Sequence, residues 1–62
     1  MMDRLSEKEL SLLNDSLNEE DHLVKKYQML AEQTQDPEVK SKFEQISQRH
    51  QNHFDELFSL LG

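Results

Sequence analysis

The sequence has 62 residues, of which 34% are hydrophobic and 32% charged, with a net charge of −6 and no cysteine. A chain this short buries only about 60% of the surface that it exposes when unfolded, so a single core is marginally stable. Without cysteine there are no disulfides or thiolate ligands, which leaves other metal ligands or self-association as reinforcement. The acidic charge argues against partners such as nucleic acids and anionic membranes, which require basic surface.

Hydropathy and turn residues narrow the class of protein further. No apolar run approaches the ~20 residues of a membrane span, and the first four residues, Met-Met-Asp-Arg, show no hydrophobic signal-peptide region. We therefore expect a cytoplasmic protein that does not contact membranes. One glycine and one proline leave almost no turn chemistry, which argues against all-β folds and glycine-rich nucleotide-binding loops.

The first predicted element is a helix over residues 7–33. Ser6-Glu7-Lys8-Glu9 has the spacing of a capping box, in which the Ser6 hydroxyl accepts from the Glu9 amide and the Glu9 carboxylate reaches back to Ser6. No helix-breaking residue follows until the predicted turn at residues 34–36. The sequence therefore predicts one long, uninterrupted helix.

The second predicted element is a helix over residues 37–61. Asp36 is a favourable N-cap, Pro37 suits the first helical position, and Glu38 places negative charge at the positive end of the helix dipole. A turn of three residues makes the two helices antiparallel neighbours. We therefore predict an all-α fold in which residues 1–62 form one antiparallel helical hairpin.

Apolar residues recur at alternating spacings of three and four along both helices, which is typical of helices packed in a bundle. On the first helix this seam consists of Leu10, Leu13, Leu17, Glu20, Val24, Tyr27 and Ala31. On the second helix it consists of Val39, Phe43, Ile46, His50, His53, Leu57 and Leu60. Further apolar residues beside each seam make the stripe wider than one partner helix covers. We therefore expect two hairpins to homodimerise into a four-helix bundle.

The turn also predicts which residues of the two helices lie at the same height. Counting outward from the turn, Tyr27 faces Phe43 and Glu20 faces His50, with His53 one helical turn further along. Three ionisable side chains thus occupy core positions in the middle of an otherwise apolar seam. The serines, by contrast, are expected at helix caps or on polar sides.

Two interpretations of the polar seam residues remain open. Burying a carboxylate is costly unless it is paired or metal-bound. One interpretation is a structural hydrogen bond between Glu20 and His50 that fixes the helix register. The other is a metal site formed by Glu20, His50 and His53, doubled by the dimer and able to hold one or two divalent ions such as iron, zinc or manganese.

The spacing from Glu20 to Tyr27, E-x6-Y, resembles the first metal-binding helix of ferritin-like and rubrerythrin-like proteins. In that family the next helix carries E-x-x-H, and both residues are di-iron ligands. The matching segment here is His50-Gln51-Asn52-His53, so His53 matches the family histidine and His50 replaces the bridging carboxylate. The resemblance implies that Tyr27 lies near any metal. The departure at His50 argues against di-iron oxygen chemistry, and we expect no enzyme activity.

Two further motifs are similar to the spore coat protein F family of spore-forming bacteria. These are Leu-Ser-Glu-Lys-Glu-Leu at residues 5–10 and Thr-Gln-Asp-Pro-Glu at residues 34–38. The resemblance implies a ferritin-like fold and a small structural or assembly protein, in the cytoplasm or in the spore coat beside other coat proteins. The alternative function is a metal-binding or redox protein with a site shared between protomers. A helix that docks into the groove of another protein is a third alternative.

Overall fold

The computed structural model describes residues 5–62, and two helices make up most of this part of the chain. Helix α1 spans Glu7–Gln33, helix α2 spans Pro37–Phe58, and a short 3₁₀ turn follows at Ser59–Leu61. The helices pack against each other as a hairpin, and residues 5–62 contain no β-strand. The predicted all-α hairpin is confirmed. The predicted second helix differs only at its end, where the last three residues tighten from α-helix to 3₁₀ geometry.

Both helices begin at residues whose side chains cap the free backbone amides. The Ser6 hydroxyl accepts from the Glu9 N–H at 3.0 Å, and Glu9 Oε1 accepts from the Ser6 N–H at 2.9 Å, so the predicted capping box is present. Asp36 Oδ1 accepts from the Glu38 and Val39 amides at 2.8 and 3.1 Å. These bonds pair amides that have no partner within the helix.

Hydrogen bonding at the first cap also changes the acidity of Glu9. The pKa of Glu9 lies below its ordinary value of 4.5, mainly because the Ser6 backbone N–H donates to the carboxylate, with the Ser6 side chain adding to the effect. A hydrogen bond donated to a carboxylate favours its ionised form. The hydrogen bond from the Ser6 N–H to Glu9 is therefore stronger when Glu9 is charged.

The core of the hairpin is a single line of contact between the two helices. Its buried apolar residues all belong to α1 and are Leu13, Leu17, Val24 and Ala31. The facing residues of α2 are half-buried, and none of the described side chains is less than 2% exposed. Val39, His53 and Leu60, which were predicted on the seam, are exposed in the single hairpin. Two helices that pack along one line leave the side chains on their flanks exposed to water. Burial is therefore greatest along the contact line and lower beside it.

Ser47 is the buried polar residue of the described chain, with 5% of its surface exposed. Its hydroxyl donates to the Val24 carbonyl oxygen at 3.0 Å and so joins α2 to the backbone of α1. The expectation that every serine lies at a cap or on a polar side is wrong at this position. A small side chain lets the two backbones approach, and the hydroxyl is satisfied by a carbonyl that can accept a second hydrogen bond.

The hairpin is long and thin. Its principal extents are 47 × 14 × 10 Å and its radius of gyration is 14.5 Å, compared with about 10.6 Å for a compact domain of this length. Within residues 5–62, neither helix combines the length and the apolarity needed to cross a lipid bilayer. The elongated form follows from having one layer of two helices, with no further long element within residues 5–62 to fold back over them.

Candidate functional site

The middle of the hairpin carries a hydrogen bond between two ionisable side chains. His50 Nδ1 lies 2.6 Å from Glu20 Oε1, and the two side chains are 22% and 18% exposed. Glu20 lies midway along α1 and His50 midway along α2, so the register predicted from the turn is confirmed at this pair. Both side chains are half-buried, because the single contact line of the hairpin does not enclose them.

His53 completes this group from the next turn of α2. Its Nδ1 lies 3.4 Å from Glu20 Oε2, and its side chain is 46% exposed. A separation of three residues places both imidazoles on one face of the helix, and their rings meet edge to face with centroids 5.7 Å apart. The structure thus brings together Glu20, His50 and His53, which we call the central cluster.

Tyr27 forms the wall of the central cluster on the side of the turn. Its ring stacks on His50 with centroids 6.0 Å apart and packs against Phe43 at 5.9 Å. The Lys26 ammonium lies 5.7 Å from the centroid of the same ring. The contact with Phe43 confirms the predicted register at this height. These contacts support an aromatic packing role for Tyr27 beside the cluster.

The acidic and basic neighbours of Glu20 in the sequence point elsewhere. Asp21 pairs with Lys25 at 2.9 Å on the surface of α1, where both side chains are well exposed. Glu19 and His22 are also exposed. Successive helical residues are about 100° apart, so only one residue of this charged run can face α2.

The donor atoms of the central cluster are chemically suited to a divalent metal. One ligand atom from each of Glu20, His50 and His53 lies within 4.8 Å of the others. Two imidazole nitrogens and one carboxylate oxygen form a donor set that zinc commonly uses, with further coordination positions left open. The same atoms are also satisfied without metal when the histidine N–H groups donate to Glu20. A Nδ1 atom that donates this hydrogen bond has no lone pair for a metal, so the two arrangements exclude each other at that atom.

Ser47 is the residue beside the site that the seam analysis missed. It lies three residues before His50 and four after Phe43, a spacing that places it on the contact face of α2. That spacing was the available signal, but its hydroxyl favoured a polar assignment. Its hydrogen bond to Val24 holds α2 close to α1 immediately beside the central cluster.

Comparisons of this chain with protein-family models, curated proteins and solved structures match nothing. The resemblance to ferritin-like proteins therefore rests on the motifs around Glu20, Tyr27 and His53. Two features of the hairpin itself bear on its function. They are the central cluster and the apolar residues that remain exposed beside it.

Proposed function

We propose that this protein is a non-enzymatic structural or assembly protein that acts as a homodimer with a ferritin-like four-helix bundle. The observation that carries this proposal is that three of the five exposed large apolar side chains of the described residues lie on one side of the hairpin. Leu12 is 56% exposed, Val39 40% and Leu60 38%. Single exposed leucines are ordinary on any protein surface, so the argument depends on whether these residues lie together.

Helix geometry places them on the same side. With 3.6 residues per turn, Leu12, Leu23 and Leu30 share one flank of α1. The apolar side, as we call this surface, consists of Leu12, Leu23 and Leu30 of α1 and Val39, Ile46, Leu57 and Leu60 of α2. Its members are exposed or half-buried. His53 lies on the same flank of α2, so the central cluster opens onto this surface. Exposed apolar residues grouped on one side in this way are typical of an interface.

The dimensions of the hairpin also support a second layer. The chain exposes 4872 Å² at a mass of 7.4 kDa, whereas a folded monomer of this mass exposes about 4,200 Å². The radius of gyration exceeds the value for a compact domain in the same way. Excess surface and an unclosed apolar flank are expected of half a helical bundle. A second hairpin laid on the apolar side supplies the missing two helices.

The ferritin-like bundle, the structural or assembly role and the cellular setting rest on resemblance. Residues 5–10 and 34–38 are similar to the spore coat protein F family. On that basis the dimer belongs to the cytoplasm or to the spore coat of a spore-forming bacterium, with other coat proteins as partners. The net charge of −6 supports a protein that does not bind nucleic acid.

The mass in solution tests the proposal. Sedimentation equilibrium of the full chain at high micromolar concentration is expected to give twice the chain mass of 7.4 kDa. The unfolding temperature is expected to rise with protein concentration, because association stabilises the folded state by mass action. A folded monomer at all concentrations would overturn the homodimer and favour docking of the apolar side on a different protein.

A second candidate function is supported by the convergence of ligand atoms in the central cluster. We propose as the alternative that Glu20, His50 and His53 of both protomers hold a divalent ion, with iron, zinc and manganese as the candidates. Bound zinc would cross-link the two helices, and iron or manganese would add redox chemistry. Within one hairpin, one ligand atom from each of these three residues already lies within 4.8 Å of the others.

Metal binding is tested on untagged protein by elemental analysis and by zinc titration. If the cluster binds zinc, zinc at 100 times its dissociation constant stabilises the fold by about 2.7 kcal/mol. His53→Ala is expected to abolish most of that stabilisation. His22→Ala removes an exposed histidine outside the cluster and is expected to leave it unchanged. Equal stabilisation of both variants would reject the site.

A further inference from the structure

We infer that a single hairpin binds one zinc ion through Glu20 of α1 and through His50 and His53 of α2. This inference rests on the metal-binding alternative proposed above. It adds the identity of the ion, the number of ions per chain and the origin of all three protein ligands in one chain. A site of this kind joins the two helices within each hairpin and needs no ligand from a second copy.

The ligand atoms of the central cluster lie close to the separations of a tetrahedral zinc site. Zinc binds histidine nitrogen and carboxylate oxygen at about 2.0–2.1 Å, so two of its ligand atoms are about 3.4 Å apart. His53 Nδ1 lies 3.4 Å from Glu20 Oε2, and His50 Nδ1 lies 2.6 Å from Glu20 Oε1. One ligand atom from each residue lies within 4.8 Å of the others. Side-chain rotations that shift these atoms by about 1 Å are therefore sufficient for three ligands to reach one ion.

The surroundings of the cluster position His50 before any ion binds. The Tyr27 ring stacks on His50 with centroids 6.0 Å apart. The Ser47 hydroxyl donates to the Val24 carbonyl oxygen at 3.0 Å and so fixes the distance between the helices beside the cluster. His53, with 46% of its side chain exposed, is free to turn toward an ion. One histidine is therefore preorganised, which lowers the cost of binding, and the other can adjust to the ion.

The donor atoms favour zinc among the candidate ions. Two imidazole nitrogens and one carboxylate oxygen, with water in the fourth position, form a common zinc site. Iron(II) also binds two histidines and one carboxylate, but iron(II) and manganese(II) bind a given set of nitrogen and oxygen ligands more weakly than zinc does. Calcium and magnesium prefer oxygen ligands alone. Zinc is therefore the ion that we expect the cluster to retain.

The supply of carboxylates limits each hairpin to one ion. Di-metal sites in helical bundles are built mostly from glutamates, which every helix contributes. Among the seam residues, which all lie within residues 5–62, the only carboxylate is Glu20. Its neighbour Asp21 pairs with Lys25 at 2.9 Å, away from the cluster. Each hairpin thus supplies one carboxylate and two imidazoles, which match a separate mononuclear site better than half of a di-metal site.

A zinc ion at this position supplies reinforcement that the chain otherwise lacks. The sequence has no cysteine for a disulfide, and the hairpin buries few apolar side chains. An ion bound by Glu20 and by His50, which are 30 residues apart in the sequence, cross-links the middle of both helices. Its binding free energy adds to folding stability, because the unfolded chain does not hold the ligands together.

The zinc content per chain is the first test. Untagged protein, loaded with zinc and passed through a desalting column, is expected to retain one zinc ion per 7.4 kDa chain. His53→Ala is expected to lower the zinc affinity about tenfold or more, since even the outer partners of metal ligands contribute that much. His22→Ala removes an exposed histidine outside the cluster and is expected to retain the wild-type zinc content.

Mixing two defective chains tests whether one chain supplies all three ligands. One chain carries Glu20→Gln and keeps both histidines, and the other carries His50→Gln with His53→Gln and keeps the carboxylate. The two chains are refolded together so that mixed dimers form, and circular dichroism checks that both are helical. If each site lies within one hairpin, the mixture is expected to bind no zinc at a concentration that saturates the wild type. If the ligands come from both protomers, mixed dimers hold a complete set and regain zinc.

The outcomes separate this inference from the proposed homodimer. A dimer with one zinc ion per chain, and no zinc in the mixture, supports both. A dimer that retains no zinc would overturn the inference and leave the homodimer standing. One zinc ion per two chains, or zinc binding regained by the mixture, would overturn the single-hairpin assignment and favour a site shared between protomers. Tighter binding of iron(II) than of zinc would overturn the identity of the ion. A monomer that binds one zinc ion would reject the homodimer and establish the inference.

Discussion

His50 Nδ1 lies 2.6 Å from Glu20 Oε1, so one hydrogen bond joins the middle of α1 to the middle of α2. The same carboxylate lies 3.4 Å from His53. Apolar seams alone allow one helix to slide along another by a turn with little loss of contact. A polar pair within the seam is satisfied at one register only, which is how buried polar residues specify alignment in helical bundles. We expect the pair to contribute more to specificity than to stability.

The first prediction concerns the free energy of unfolding of variants at this pair. His50→Leu is expected to destabilise the protein by about 1–3 kcal/mol, because Glu20 then keeps only its longer contact with His53. Changing both residues, Glu20→Leu with His50→Leu, is expected to give a protein as stable as the wild type or more so. Denaturant melts of metal-free protein at a fixed chain concentration measure both.

Additive losses of unfolding free energy in the double variant would contradict the pairing of Glu20 with His50. If the double variant loses the sum of the losses measured for Glu20→Leu alone and for His50→Leu alone, Glu20 and His50 are not coupled. His22→Leu serves as the control, since it adds the same side chain at an exposed position of α1. We expect its effect to stay within about 0.5 kcal/mol.

The second prediction concerns Ser47. Ser47→Ala removes the hydroxyl that donates to the Val24 carbonyl and is expected to cost about 0.5–1.5 kcal/mol. Ser47→Leu is expected to cost more, about 1–3 kcal/mol, because the larger side chain overfills a buried position between the two helices. Ser41→Ala, on the exposed side of α2, is the control. Equal unfolding free energies for Ser47→Leu and the wild type would show that the contact is loose.

Much of the hairpin could be predicted from local sequence. Helix capping joins residues that are only two or three positions apart in the sequence. The helix starts marked by Ser6, Glu9 and Asp36 can therefore be predicted from the sequence alone. The short turn then fixes the height of every seam residue, which is why the pairing of Glu20 with His50 could be predicted before the structure.

Other features depend on information that one chain's pattern does not contain. Ser47 has the spacing of a residue that contacts α1, but its polar side chain is typical of a surface position. Whether it is buried or exposed depends on how the two helix backbones pack, which the sequence does not state. The exposure of Val39 and Leu60 depends on whether a second hairpin is present. Whether Glu20 accepts hydrogen bonds or binds a metal depends on the proton occupancy of two histidine nitrogens, which the sequence does not fix.

The third prediction concerns pH and the first helix cap. The pKa of Glu9 is lowered in the folded protein by hydrogen bonds from Ser6. A carboxylate whose folded pKa lies below its unfolded value stabilises the fold above the unfolded pKa, here 4.5. That stabilisation is lost as the pH falls from 4.5 through the lower folded pKa. We therefore expect the start of α1 to fray below pH 4.5.

The chemical shift of the Ser6 amide proton, followed by NMR, reports this loss directly. In Glu9→Gln the acid-induced shift is expected to disappear, because the amide side chain does not titrate. Glu7→Gln removes one carboxylate from the same turn without changing the capping pair and is expected to keep the shift. A Ser6 amide that responds to acid equally in both variants would show that Glu9 is not the group responsible.

The last prediction tests the apolar side with two matched substitutions. Leu12 and Met29 both lie on α1 and are 56% and 52% exposed, but they point about 100° apart around the helix axis. Leu12→Glu places a charge on the apolar side of each protomer. Losing the burial of two leucines, at about 1.5 kcal/mol or more each, is expected to weaken the dimer about 100-fold. Met29→Glu introduces the same charge outside the apolar side and is expected to change the affinity little. Sedimentation of both variants at several concentrations measures the dissociation constant of each dimer. Equal weakening by the two substitutions would mean that net charge, and not the apolar side, controls association.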